Sequence, residues 1–453
     1  MMNKKEAYMM LDRILNWAGD FGMKVLLRGV SNGLTRFAGS EIHQNIFQED
    51  LEVEIEISKG RRRAEAKTNR LEEEELRSTI KQLRKDLEHS PEREYELPLI
   101  DGPEEISCEE SDDRLPEKLD VAGRAELISS GIDSLPAGFS AAGSLALEEG
   151  FIALGNTAGI RRYARRDMGS FNTVISDKEN EGSGYAELQS ETADDLRIAE
   201  AFERAARKAS DSSSPGTLPP GEYTVVLEPL AAADLLGYLA YTGFSGRSVQ
   251  QGRSFLTGRI GEKIWGDNIS IYDDCRHEKT MTLPFDMEGA ERQPLTIIEE
   301  GVARDLAYDL ASALEAGVET TGHSIGRESM GGFPLHLVMA GGEKTPEDLI
   351  AETDRGILVT RFHYMNVVNP RRAVLTGLTR DGTFLIEDGE IAEAIEDLRF
   401  TQDMMKSFNS VKALSEDRFK TPGLIGTSFV PWLKIEDFHF SGSTEKTEQD
   451  KLN

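Results

Sequence analysis

Residues 210–221 read Ser-Asp-Ser-Ser-Ser-Pro-Gly-Thr-Leu-Pro-Pro-Gly. Such a stretch offers almost no apolar surface, and its prolines and glycines disfavour the interiors of helices and strands. It divides the 453-residue chain into two parts, each long enough to bury a core of its own. The expected organisation is an N-terminal domain over 1–209, a linker over 210–221, a C-terminal domain over 222–442 and a disordered polar tail over 443–453.

Apolar spacing then types each part. Ala7, Met10, Leu11, Ile14, Leu15 and Ala18 recur at helical intervals. The stretches at 24–30 and 34–40 read as strands joined by a turn at Ser31-Asn32-Gly33. In 50–58, Leu51, Val53, Ile55 and Ile57 alternate with Glu52, Glu54 and Glu56, the pattern of a strand with one buried and one solvated acidic face. A helix follows with Leu76, Ile80, Leu83 and Leu87 on one side, and others are expected near 116–130 and over 192–209. The order strand, strand, helix occurs twice, around 50–80 and 171–202, which suggests two β-β-α units. Beyond 221 a strand and an apolar helix over 229–244 give way to mostly strand-like sequence, with a second helix at 303–315. The fold class expected is α+β: an α/β N-terminal domain with β-β-α units and a mainly β C-terminal domain with one or two helices.

Charge and cysteine content narrow the function. Acidic residues outnumber basic ones 81 to 52, for a formal charge of −29. This disfavours nucleic acid and anionic membranes as partners, because both need clustered Lys and Arg. Cys108 and Cys275 are the only cysteines, too few for a disulfide framework or a cysteine-rich zinc site. With no signal-like or membrane-length apolar run, the expected compartment is the cytoplasm.

No local motif supplies chemistry. The single His-Glu pair, His277-Glu278, has Met281 where a second metal-binding histidine would fall. There is no nucleophile elbow and no phosphate loop. The glycine-rich run 243–261 carries Arg247, Arg253 and Arg259, residue types that either pair structurally or clamp carboxylates. His323 lies in a further glycine loop.

Several collinear segments resemble the TldD/PmbA family. They are FSGRSVQQGRSFLTGRIGEKI, LPFDMEGAERQPLTIIEEGV, TTGHS, ILVTRFHYMNVVNP, LTGLTRDGTFLIEDGEI and LRFTQDMMKSF, with LTRFAGSEIHQNIFQED and KTNRLEEEEL in the N-terminal half. The resemblance implies a metallopeptidase complex of two related subunits. The TldD-like subunit carries His-Glu-x-x-x-His on a helix plus a cysteine near the C-terminus as zinc ligands; the TldE- or PmbA-like subunit lacks them. Counted back from SFLTGRIGE, the zinc helix falls on GYLAYT. Gly237 stands at the first histidine, Tyr238 at the glutamate and Thr242 at the second histidine, and no cysteine follows Cys275.

The resemblance thus implies a TldE/PmbA-like subunit with no catalytic residue and no metal of its own, zinc being expected in a TldD-like partner. Peptide contacts are expected at Arg247, Arg253, Arg259 and His323. Two other readings stay open. One is an independent peptidase, either metal-free or using a metal site drawn from His323, His363 and Asp273. The other is a homodimeric peptide-binding scaffold. Whether the chain is itself an enzyme is undecided at this level.

Overall fold

A computed structural model describes residues 2–106 and 114–443. Cys108 and residues 444–453 of the tail expected over 443–453 lie outside the described residues, while Ser443 is the last residue of a strand paired to Leu398. The N-terminal half runs α1 Lys4–Leu15, β1 Gly22–Ala38, β2 Glu41–Lys59, β3 Arg62–Thr68, α2 Glu73–His89, α3 Arg114–Lys118, α4 Val121–Asp133, β4 Phe139–Asn156, β5 Arg161–Asp177, β6 Gly182–Ser190 and α5 Ile198–Asp211. Its strands form one antiparallel sheet in the order β3-β2-β1-β4-β5-β6.

The repeat is larger than the sequence suggests. Each half of this sheet is a helix, three strands and a helix, and the two halves meet along β1 and β4, where Lys24 pairs with Asn156 and Phe37 with Gly143. Met23, Val25 and Leu27 pack under α1 and α2. The alternate residue Leu26, with Leu154 and Ala164 of β4 and β5, instead joins the core of the C-terminal half.

Three local expectations change. β1 runs unbroken through Ser31-Asn32-Gly33. Asn32 and Gly33 are paired on both sides, to β2 and to β4, and the place of a Gly33 side chain is taken by the Arg124 guanidinium, 2.7 Å from where a Cβ would stand. Gly33 therefore provides room, not a turn. Glu54 and Glu56 are buried, not solvated. Lys24 and Arg63 pair with Glu56 at 3.1 and 2.7 Å, and Lys67 with Glu54 at 2.7 Å. The helix expected over 116–130 is two helices, because the Asp120 carboxylate caps α4 by accepting from the Gly123 N–H.

The C-terminal half runs β7 Gly221–Leu227, α6 Pro229–Gly243, α7 Gly246–Gln250, β8 Ile271–Asp273, β9 Leu295–Glu299, β10 Val302–Ala303, α8 Leu310–Ala316, β11 His336–Met339, α9 Pro346–Ala351, β12 Arg355–Asn369, β13 Val374–Glu387, β14 Glu390–Ala394, β15 Leu398–Asp403, α10 Met404–Asn409, β16 Val411–Pro422 and β17 Thr427–Ser443. Eleven strands form its sheet, and pairing of β17 with β7 closes the run β17-β15-β13-β12-β7 on itself. Phe362, Phe400, Phe438 and Phe440 fill its core. The one long helix is α6; α8 is shorter than expected because Asp309 caps it late, accepting from the Ser312 N–H.

Residues 212–218 are anchored. The Ser212 hydroxyl accepts from the Ser183 N–H, Gly216 N–H donates to the Ala394 carbonyl, and Leu218 is buried.

Candidate functional site

Helix α6 is apolar on nearly all sides, with Asp234 its single charged residue. Pro229 sits in its first turn, where the missing N–H costs nothing. Ala231, Leu235, Leu239 and Ala240 are buried, so packing fixes the helix whatever stands at its functional positions.

The three positions aligned with a zinc motif are occupied in ways that do not suit a metal. A Cβ at Gly237 would stand 3.0 Å from the Leu424 Cβ and 3.3 Å from its backbone nitrogen, so the turn between β16 and β17 covers that face. Tyr238 Oη donates to the Met365 carbonyl across 2.7 Å, and burial raises its phenol pKa. Thr242 Oγ1 donates back to the Tyr238 carbonyl at 2.8 Å. Glycine offers no donor atom, and both hydroxyls are spent on backbone carbonyls. A zinc ion needs about three protein ligands, so these residues do not fit one.

Around this helix the surface is apolar. The β12 backbone shifts register between His363 and Asn366 and presents Tyr364, 77% exposed at φ 48°. Tyr241, Leu424 and Ile425 are also exposed. Beneath them Asp234 accepts from the Phe362 N–H at 3.3 Å. Burial pushes its carboxyl up to about 7, and Glu187 adds to the effect. The sequence reading passed over Asp234, although a lone acid in an apolar helix was a usable signal.

The predicted peptide contacts do not gather at one point. Arg247 pairs with Glu315 of α8, Arg259 pairs with Glu262 at 3.3 Å, and Arg253 is exposed. His323 is fully buried. Its Nε2 lies 3.1 Å from Asp273 Oδ1 and its Nδ1 2.8 Å from the Thr321 carbonyl.

His323 belongs to a buried polar cluster. Asp273 also accepts from the His336 N–H at 2.7 Å and lies 3.3 Å from His336 Nδ1. Burial alone would raise Asp273, but the two imidazoles hold it well below the usual carboxylate range. Burial lowers the pKa of His336, against the opposing pull of Asp273. Beside them Arg292 is buried, and its guanidinium has no hydrogen-bond partner among the described residues. His363 lies apart from this cluster, its ring against Tyr364 in β12. Among the described residues no group of three or more His, Cys, Asp or Glu is arranged to hold a metal ion, and no helix is long and apolar enough to cross a membrane.

These features describe a two-sheet α+β protein whose C-terminal half presents an apolar helix beneath a β turn. The chain belongs to the PmbA/TldD family: the family model of the PmbA/TldA metallopeptidase C-terminal domain matches residues 220–442. Metalloprotease PmbA of Escherichia coli O157:H7 is 24% identical over 351 residues, covering 75% of this chain and 73% of that protein. An uncharacterised protein of Methanocaldococcus jannaschii is 39% identical over 101 residues, 22% of this chain and 24% of its own length. The chain spans 24% and 46% of the first two curated relatives it matches. The crystal structure of TldE from Thermococcus kodakarensis superposes with a TM-score of 0.84 at 22% identity, covering 96% of this chain and all of that one. That likeness establishes the fold.

Proposed function

We propose that the chain is a TldE/PmbA-like, non-catalytic subunit of a TldD/TldE-type heteromeric metallopeptidase that processes peptides in the cytoplasm. The observation that carries this reading is the donor-free face of α6, where Leu424 lies over Gly237 and both Tyr238 and Thr242 bond to backbone. Zinc then belongs to the TldD-like partner. The exposed ring of Tyr364, Tyr241, Leu424 and Ile425 supplies apolar surface of the kind that partners or extended peptides cover. Arg253 and Arg259 lie on the loop that follows α6 and α7 and serve as outer contacts to peptide carboxylates.

Co-expression with a TldD-like protein, followed by size-exclusion chromatography and metal analysis, tests the assignment. The expected result is co-elution, with zinc and peptidase activity dependent on the partner. A lone chain holding about one zinc and cutting peptides, or failure of every TldD-like protein to co-elute, overturns it.

A further inference from the structure

A cavity of about 400 Å³ lies away from α6, between the N-terminal sheet and the C-terminal half. Its floor is the sheet face that carries Leu26 and Ala164 into the shared core, and Gly29, Gly150, Ile152 and Ala164 line it. Its other wall is Met281, Leu283, Met287 and Leu335. Methionine side chains adapt their shape to irregular apolar occupants.

Two guanidinium groups stand at this apolar space. Arg28 Nη2 donates to Met287 Sδ at 3.7 Å, and Arg166 Nη1 to Met281 Sδ at 3.3 Å. A thioether is a weak acceptor for a charged donor. Arg166 has one long ion pair, 3.6 Å to Glu148, which also lines the cavity, while Arg28 makes none among the described residues. Arginines held over methionine sulfur, with little or no carboxylate to satisfy them, leave room for a stronger acceptor. An apolar volume within the usual range for small ligands, with a few convergent polar groups, is the common form of a binding site.

We propose that this cavity binds an amphipathic monocarboxylate, its apolar chain against Met281, Leu283 and Met287 and its carboxylate on Arg28 and Arg166. The same chemistry is carried by a free alkyl carboxylate and by the C-terminal end of an apolar peptide. The site is separate from α6 and does not depend on the subunit role proposed above.

Isothermal titration of the full chain at pH 7 with octanoate, octanamide, N-acetyl-Leu-Leu and its C-terminal amide tests the assignment. At least one carboxylate is expected to bind about tenfold tighter than its amide, the worth of one charge-assisted hydrogen bond. Arg28→Gln, at an exposed position, is expected to remove most of that preference without changing the melting temperature. Met287→Trp, which fills the volume, is expected to abolish binding. Octanoate binding alone assigns the site to free alkyl carboxylates; binding of the peptide acid, with or without octanoate, extends it to peptide ends. Equal affinity for acid and amide, an unchanged preference in Arg28→Gln, or no heat from either carboxylate overturns the proposal.

Discussion

Leu424 lies on Gly237, with its Cβ 3.0 Å and its backbone nitrogen 3.3 Å from the point where a side chain at 237 would begin. Residues far apart in sequence therefore share one packing decision. Gly237→His gains a few tenths of a kcal/mol in helix propensity but must displace the turn. The net expectation is a loss of about 1–2 kcal/mol, read by urea unfolding, with part recovered when Leu424→Gly is added. The triple change Gly237→His, Tyr238→Glu, Thr242→His is expected to bind less than one zinc per chain unless Leu424 is also changed.

Asp234 gives the fold a pH dependence. Its folded pKa is raised to about 7 from an ordinary 3.8. Between those values the folded state holds a proton that the unfolded state has lost. Stability therefore falls as pH rises through that window, by roughly 1.4 kcal/mol per pH unit from this group alone, and levels off above pH 7. Asp234→Asn is expected to match the parent near pH 4 and exceed it at pH 8 in parallel urea titrations.

Asp273 holds two buried imidazoles. Removing it in Asp273→Ala leaves His336 with no partner for its ring, since Nε2 already has none, while His323 keeps Thr321. A loss of about 1–3 kcal/mol for the unpaired ring is expected, visible as a lower urea midpoint.

Arg253 and Arg259 separate binding from stability. Arg259→Ala breaks a surface pair with Glu262, and such pairs contribute less than about 1 kcal/mol. Arg259→Ala and Arg253→Ala are expected to melt like the parent yet to raise KM for acidic peptides in the assembled peptidase. Unchanged KM in both would remove them from the peptide path.

Gly33 tests the unbroken β1. A Cβ there would meet Arg124 Nη1 at 2.7 Å, and Arg124 is held by the Leu119 carbonyl and Thr35. Gly33→Ala is expected to cost about 1–3 kcal/mol by overpacking. The loss is read as a lower urea midpoint.

Most of the fold was legible where one residue's periodicity decides its environment. α1, α2 and the C-terminal strands follow their apolar spacing closely. The misreadings came where a distant partner decides. Ser31-Asn32-Gly33 looks like a turn until Arg124 is placed beside it. Glu54 and Glu56 look solvated until Lys24, Arg63 and Lys67 are brought over them. At α6, the three donor-poor positions could be read from the residue types alone. That Leu424 covers Gly237 could not, because nothing local in the β16–β17 turn points to a helix some 190 residues earlier. His323 reads as a loop histidine, and its buried partner Asp273, which also meets His336, comes from a distant strand.

The pairing of β7 with both β12 and β17 has a consequence for biosynthesis. The first strand of the C-terminal half forms ladder bonds with the last, Gly221 opposite Phe440. The ring of strands cannot close on the ribosome until nearly the whole chain has emerged. Until then α6, among the most apolar helices of the protein, waits without its cover, so nascent chains should engage holdase chaperones, and truncations within β17 should aggregate rather than fold in part.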